Sequence, residues 1–159
     1  MDKFVGGCES MIYVCIIQGK GMDLRGKSST EIFGYDTLDE INSKIVDFAS
    51  GLGMQVKFHQ TNSESNVITI LREVQLSEFN ALIFNPGGFT NSPGRISDSL
   101  KELTIPTYEI HTTNPATRGI ISGIQGVCSG SVYGFGIHSY LVALTGLKCI
   151  LSFETQKGS

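Results

Sequence analysis

Apolar and polar positions along this 159-residue chain switch repeatedly between a period that suits strands and one that suits helices. Met11 to Ile17 is a compact β-rich run and reads as the first strand. The polar, glycine-containing lead of residues 1–10 is expected to be disordered or a remnant of expression. From Gln18 to Tyr35 the apolar period fades and Gly19, Gly21, Gly26 and Gly34 recur, which predicts a loop long enough to be a functional lid. Thr37 and Glu40 have the spacing of a capping box, and Ile41, Ile45, Phe48 and Leu52 follow at helical intervals until Gly53. Met54 to Gln60 alternates as a second strand, and Val67, Ile70, Leu71 and Val74 mark a second helix.

The third strand begins at Ala81 and ends at Asn85, where an uninterrupted apolar run meets the turn residues Pro86, Gly87 and Gly88. Such a run suits a strand covered on both faces of a parallel sheet. A short helix carrying Ile96, Leu100 and Leu103 comes next. Pro106 then opens a fourth strand, Thr107 to His111, which closes on Thr112, Thr113, Asn114 and Pro115. The Gly-rich, apolar segment from Ile120 to Ser131 is expected to hold a short fifth strand. After Gly134-Phe-Gly136 a final helix places Tyr140, Leu141 and Leu144 on one face. This order predicts one doubly wound α/β domain of flavodoxin-like type over residues 11–153, with residues 154–159 as a tail. Another open α/β order built from the same elements is the alternative.

A formal net charge of −3 with scattered Lys and Arg gives no basic stripe, so nucleic acid is not an expected partner. No apolar run approaches the ~20 residues that cross a bilayer, so no membrane association is expected. Met1 to Ser10 lacks the basic start and apolar core of a signal peptide, and the expected location is the cytoplasm. Cys8, Cys15, Cys128 and Cys149 are widely spaced without metal-type His partners. Three of them lie in apolar stretches, which predicts buried free thiols and no metal site.

Three strand ends should share one rim, and ligands of open α/β sheets gather there. Gln18 and Gly19 follow the first strand, and Asn85 ends the third. Gly87 and Gly88 would let backbone amides approach a ligand closely. Alternation along the fourth strand puts Glu109 and His111 on the same face, where the carboxylate would orient the imidazole for general acid work.

These residues resemble the type II 3-dehydroquinate dehydratases in the order of their motifs from Met11 to Leu147. Phe84-Asn-Pro-Gly-Gly-Phe-Thr90 is similar to the family's I-N-P-G-A-Y-T, and Glu109-Ile-His-Thr-Thr-Asn114 to its E-V-H-I-S-N. Gly134-Phe-Gly-Ile-His-Ser-Tyr-Leu-Val-Ala-Leu144 is similar to G-F-G-x-x-S-Y-x-L-A-L, and Gln60-Thr-Asn-Ser-Glu64 is a weaker echo of Q-S-N-H-E. The resemblance implies a cofactor-free lyase acting on a small molecule, assembled as a homo-oligomer of trimers packed into a dodecamer. In that family a lid tyrosinate removes a proton next to a ketone, a strand-end His protonates the departing hydroxyl, and an Asn holds the water that stabilises the enolate. Carried over, His111 would be the acid, Glu109 its orienter and Asn85 the enolate-side group. Thr112 and Thr113 would cradle a carboxylate.

The resemblance breaks in the lid. Where the family reads G-x-R-E-P-x-x-Y-G this chain has Gly26-Lys-Ser-Ser-Thr-Glu-Ile-Phe-Gly34, so Phe33 stands at the catalytic Tyr and Ser28 at the Arg. A tyrosine base near neutral pH needs ~4 kcal/mol of electrostatic help, and a phenyl ring accepts no proton at all. The family's loop Asn falls on Gly21, and its His after P-G-A-Y-T becomes Asn91. Arg118 matches one of two arginines in a shortened basic segment. Lost donors would leave hydroxyls of dehydroquinate unpaired, at ~1–3 kcal/mol each. Tyr35 is the candidate replacement base, with Lys20, Lys27 or Arg25 to lower its pKa; Glu31 and Asp23 are carboxylate candidates in the same loop. Phe33, Ile120 and Ile121 would make the cleft more apolar. Three functions fit: a repurposed lyase for a less hydroxylated carbonyl or carboxylate compound, a catalytically silent anion-binding or assembly subunit, and a true dehydroquinase with an unusual base.

Overall fold

Five parallel strands in the order β2-β1-β3-β4-β5 form the centre of the computed structural model, which describes residues 10–157. The strands are β1 (Ile12–Lys20), β2 (Met54–Gln60), β3 (Ala81–Gly87), β4 (Thr107–His111) and β5 (Gly130–Tyr133). Five α-helices accompany them: α1 (Thr30–Phe33), α2 (Leu38–Gly51), α3 (Glu64–Gln75), α4 (Ile96–Lys101) and α5 (His138–Lys157). This is the expected doubly wound, flavodoxin-like order, in which the chain leaves β1 toward one edge and returns to cross toward the other.

The apolar runs are continuous because both sheet faces are covered. Val14 and Ile16 of β1 pack with Ile83 and Ile110 beneath α2 and α5, against Ile41, Ile45, Leu144 and Leu147. The alternate residues Cys15 and Ile17 join Leu82 and Phe84 beneath α3 and α4, against Val67, Leu71, Ile96 and Leu100. A one-residue slip of β1 would exchange its two sets, so both cores fix the register Ile16↔Ile83 and Ile17↔Phe84.

Several boundaries differ from expectation. β1 continues through Gln18, Gly19 and Lys20, because Gln18 pairs with Asn85 and Lys20 with Gly87 in spite of their polarity. The Ile120–Ser131 segment is mostly loop; β5 begins only at Gly130 and runs to Tyr133. Residues 154–157, expected in the tail, continue α5. Cys15 is buried and Cys128 half-buried, and burial pushes both thiols up to about 12, whereas Cys149 is exposed rather than buried. Cys8, most of the expected disordered lead and the last two residues lie outside the described residues. Among the described residues no helix is long and apolar enough to cross a membrane.

The predicted capping box forms at α2: Thr37 Oγ1 accepts from the Glu40 amide, and the Glu40 carboxylate accepts from the Thr37 amide at 2.7 Å. Thr37→Ala is expected to lower unfolding stability by about 1 kcal/mol, read as a lower urea midpoint at unchanged slope.

Candidate active site

Parallel pairing brings all strand exits to one rim, and the loops after β1, β3 and β4 enclose a cleft of about 320 Å3 there. The β1 exit turns at Gly21 (φ 86°), whose amide donates to Asn62 Oδ1 at 2.8 Å. Met22 then buries its side chain and anchors a short 3-10 turn, Met22–Leu24. This anchor delivers Arg25 inward. The Arg25 guanidinium lies 4.0 Å from the Phe33 ring centroid, and that of Arg118, arriving from the β4 side, lies 5.7 Å from it. Two cations thus approach one phenyl ring. Burial pulls Arg25 below the usual arginine range, partly opposed by Tyr140, and the nearby Arg118 charge adds a smaller lowering influence.

At the β3 exit, Asn85 is buried with Nδ2 donating to the Tyr140 hydroxyl at 3.1 Å. Gln18 Nε2 reaches the same phenol at 3.5 Å and donates to Asn42 Oδ1 at 2.7 Å. Tyr140 is fully buried, and burial raises its pKa despite these two donors. The phenol is therefore a neutral acceptor that orients the Asn85 amide.

The turn glycines line the cleft, but their amides are already used. Gly87 N–H donates to Asn85 Oδ1 at 3.3 Å and Gly88 N–H to the Lys20 carbonyl at 2.7 Å. Their role is close approach between strands: Gly87 has φ 54°, and a Cβ there would collide with the Lys20 carbonyl. The expectation that both amides serve a ligand is thus corrected.

β4 supplies the titratable pair at the cleft. Glu109 and His111 share a face as alternation requires, with His111 Nε2 2.6 Å from Glu109 Oε1. The other carboxylate oxygen accepts from Ser131 Oγ at 3.4 Å. His111 lines the cleft while Glu109 stays buried behind it. Thr112 and Thr113 follow on the cleft wall, and Thr112 Oγ1 is buried without a hydrogen-bond partner. Asn114 then caps the Pro115–Arg118 turn, which brings Arg118 round to the opening.

Thus Asn85, Gly87, Gly88, Asn91, His111, Thr112, Thr113, Arg118 and Phe33 meet at one cleft, with Ile120 beside them. Tyr35 does not. Its side chain is 82% exposed, because Gly34 ends α1 at φ 84° and turns the chain away, so it is removed as a base candidate. Ile121 is likewise 82% exposed and outside this cleft. Asp23 accepts from Asn62 Nδ2 at 3.3 Å, and Glu31 is exposed; neither lines the cleft. In sequence Arg25 stands out only as a neighbour of Tyr35, and its stacking on Phe33 emerges only once Met22 is buried. Among the described residues no cluster of three or more His, Cys, Asp or Glu is arranged to hold a metal ion.

A doubly wound α/β domain with a small-molecule cleft at its strand exits is the class this geometry defines. The family model described as dehydroquinase class II matches residues 12–148, and the chain belongs to that family. It is 35% identical to a 3-dehydroquinate dehydratase of Caldicellulosiruptor bescii, over 87% of this chain and 97% of the relative. A second such enzyme, from Pelotomaculum thermopropionicum, is 34% identical over 82% of this chain and 92% of the relative. The fold also superimposes on the crystal structure of a type II dehydroquinase from Butyrivibrio crossotus, with a TM-score of 0.83 at 23% identity, covering 86% of this chain and 97% of that one.

Tyr140→Phe would leave the buried amides of Asn85 and Gln18 without their shared acceptor. It is expected to reduce unfolding stability by about 1–3 kcal/mol, measured by urea denaturation.

Proposed function

We propose that this chain is a repurposed class II dehydroquinase-type lyase. Its substrate is a small carbonyl- or carboxylate-bearing molecule less hydroxylated than dehydroquinate, and its working acid–base group is His111. The observation that carries the reading is the composition of the cleft wall. Phe33 lies beside both Arg25 and Arg118, and among the described residues no Tyr, Asp, Glu or Cys lines the cleft. Imidazole is then the lining group suited to exchanging protons near neutral pH.

The geometry supports a specific division of labour. With the Glu109 carboxylate accepting from Nε2–H, a neutral imidazole keeps its lone pair on Nδ1 and a charged one holds a proton there. Nδ1 is therefore the nitrogen available to take a proton from carbon or give one to a departing oxygen. Asn85, held by Tyr140, faces the developing enolate, and the Thr112–Thr113 backbone receives a carboxylate. Dehydration, isomerisation and ring closure are all compatible with such a site. The exposed aromatic side chains of Tyr133 and Phe135, near the His111 strand end, fit a face covered by further copies in a trimer or dodecamer.

A second reading, a true 3-dehydroquinate dehydratase with a substitute base, is favoured by end-to-end likeness to enzymes of that name. Two measurements separate them. With 3-dehydroquinate, absorbance of the conjugated enone is expected to stay at the His111→Ala background; turnover that His111→Ala abolishes would favour the second reading. With a panel of β-hydroxy and keto acids in deuterated water, NMR is expected to show carbon–hydrogen exchange that His111→Ala slows by about 100- to 10,000-fold. Absence of exchange across the panel, with ligand binding retained, would mark a catalytically silent binding protein.

A further inference from the structure

Among the described residues, the Arg25 guanidinium is a buried charge without a counter-charge. Its residue is only 9% exposed, and no carboxylate of the described residues forms an ion pair with it. One terminal nitrogen, Nη2, contacts the Met22 sulfur at 3.5 Å, a weak acceptor. The other, Nη1, is buried with no hydrogen-bond partner among the described residues. One face of the guanidinium is covered by the Phe33 ring, which attracts a cation but takes no hydrogen bond in the guanidinium plane. Arg118 on the same ring adds a second positive charge, and Lys20 on the cleft wall a third. Leaving such a group unpaired is costly, so the arrangement calls for an anion that the protein itself does not supply.

We propose that Arg25, with Arg118 beside the same Phe33 ring, forms an oxyanion subsite separate from the Thr112–Thr113 wall, so that the substrate carries two anionic groups. This rests on the reading of the cleft as a substrate site and names its ligand class: a dicarboxylate, or a carboxylate that also bears a phosphate. Thr112 Oγ1, of a residue also on the cleft wall, is a second buried polar atom without a hydrogen-bond partner among the described residues. A cleft of about 320 Å3 holds one small molecule, so both unpartnered groups address the same ligand. Phe33 then has a role that a phenol would obstruct. Its uncharged edge leaves the cations to the ligand, where a phenolate would neutralise them.

Calorimetric titration of the full chain with succinate, butyrate and inorganic phosphate at fixed ionic strength tests this. Succinate is expected to bind at least about tenfold more tightly than butyrate, and Arg25→Met, which retains an apolar stem against Phe33, is expected to remove that preference. Arg25→Lys keeps the charge without the planar fork and should retain part of it, which keeps the test decisive if Arg25→Met fails to fold. Competition by phosphate that weakens in Arg25→Lys would extend the ligand class to phosphorylated acids; succinate preference without phosphate competition would confine it to dicarboxylates. Equal binding of succinate and butyrate, or an unchanged preference in both Arg25 variants, would overturn the proposal. His111→Ala is expected to preserve the succinate preference while losing proton exchange, so failure of the subsite and failure of the proton-transfer reading give different patterns.

Discussion

The seam where β1 and β3 run side by side past the hydrophobic part of the sheet is the constraint on which the site depends. Gly88 N–H meets the Lys20 carbonyl at 2.7 Å, and Lys20 pairs with Gly87. A Cβ at Gly19 would collide with the Pro86 carbonyl, and one at Gly87 with the Lys20 carbonyl. This contact holds the two strands together to the rim, where their chains separate to opposite sheet faces. The cleft opens at that separation, the switch point at which doubly wound sheets bind ligands. The Asn-Pro-Gly-Gly turn is therefore first a joint between strands and only then a cleft wall.

Polar groups behind the cleft convert this backbone geometry into chemistry. Tyr140 on α5 reaches across to Asn85 on β3 and Gln18 on β1, and Gln18 continues the chain of contacts to Asn42 on α2. Helices on one face of the sheet are thereby coupled to the orientation of a cleft amide. Glu109 does the equivalent for His111 from within β4, with Ser131 of β5 holding its second oxygen. Every one of these partners is buried or half-buried, so each bond acts with little competition from water. Orientation is set before a ligand arrives.

How much was legible in the sequence follows the range of the interactions. The Glu109–His111 pair was readable because a strand's two-residue period fixes it locally, and the Thr37–Glu40 box because it closes within one helical turn. The apolar runs of β1 and β3 disclosed a buried parallel sheet. Arg25 was not readable as a cleft residue, because its direction depends on Met22 being buried and on Phe33 returning from α1. Tyr35 was misplaced for a related reason: two residues beyond Phe33 looked close, but Gly34 at φ 84° reverses the chain between them. The amides of Gly87 and Gly88 seemed free because their competitor, β1, is distant in sequence. Ile120 and Ile121 looked alike, yet only the first faces the cleft.

Charge is distributed against the average. The chain as a whole carries −3, yet Lys20, Arg25 and Arg118 line the cleft without a lining carboxylate among the described residues. Glu109 is near but is committed to His111 and sits behind it. A concave, partly apolar wall focuses the field of such cations, so a small anion is drawn to the cleft while the acidic remainder of the surface discourages anions elsewhere. Phe33 is central to this arrangement. Its ring face stabilises the neighbouring guanidinium groups by roughly 0.5–2 kcal/mol, far less than a full counter-charge would, and so holds them in place without discharging them. The lid of this class II dehydroquinase fold thus sets Arg25 beside Arg118 at the cleft, and the imidazole of His111 reaches the same cleft from β4.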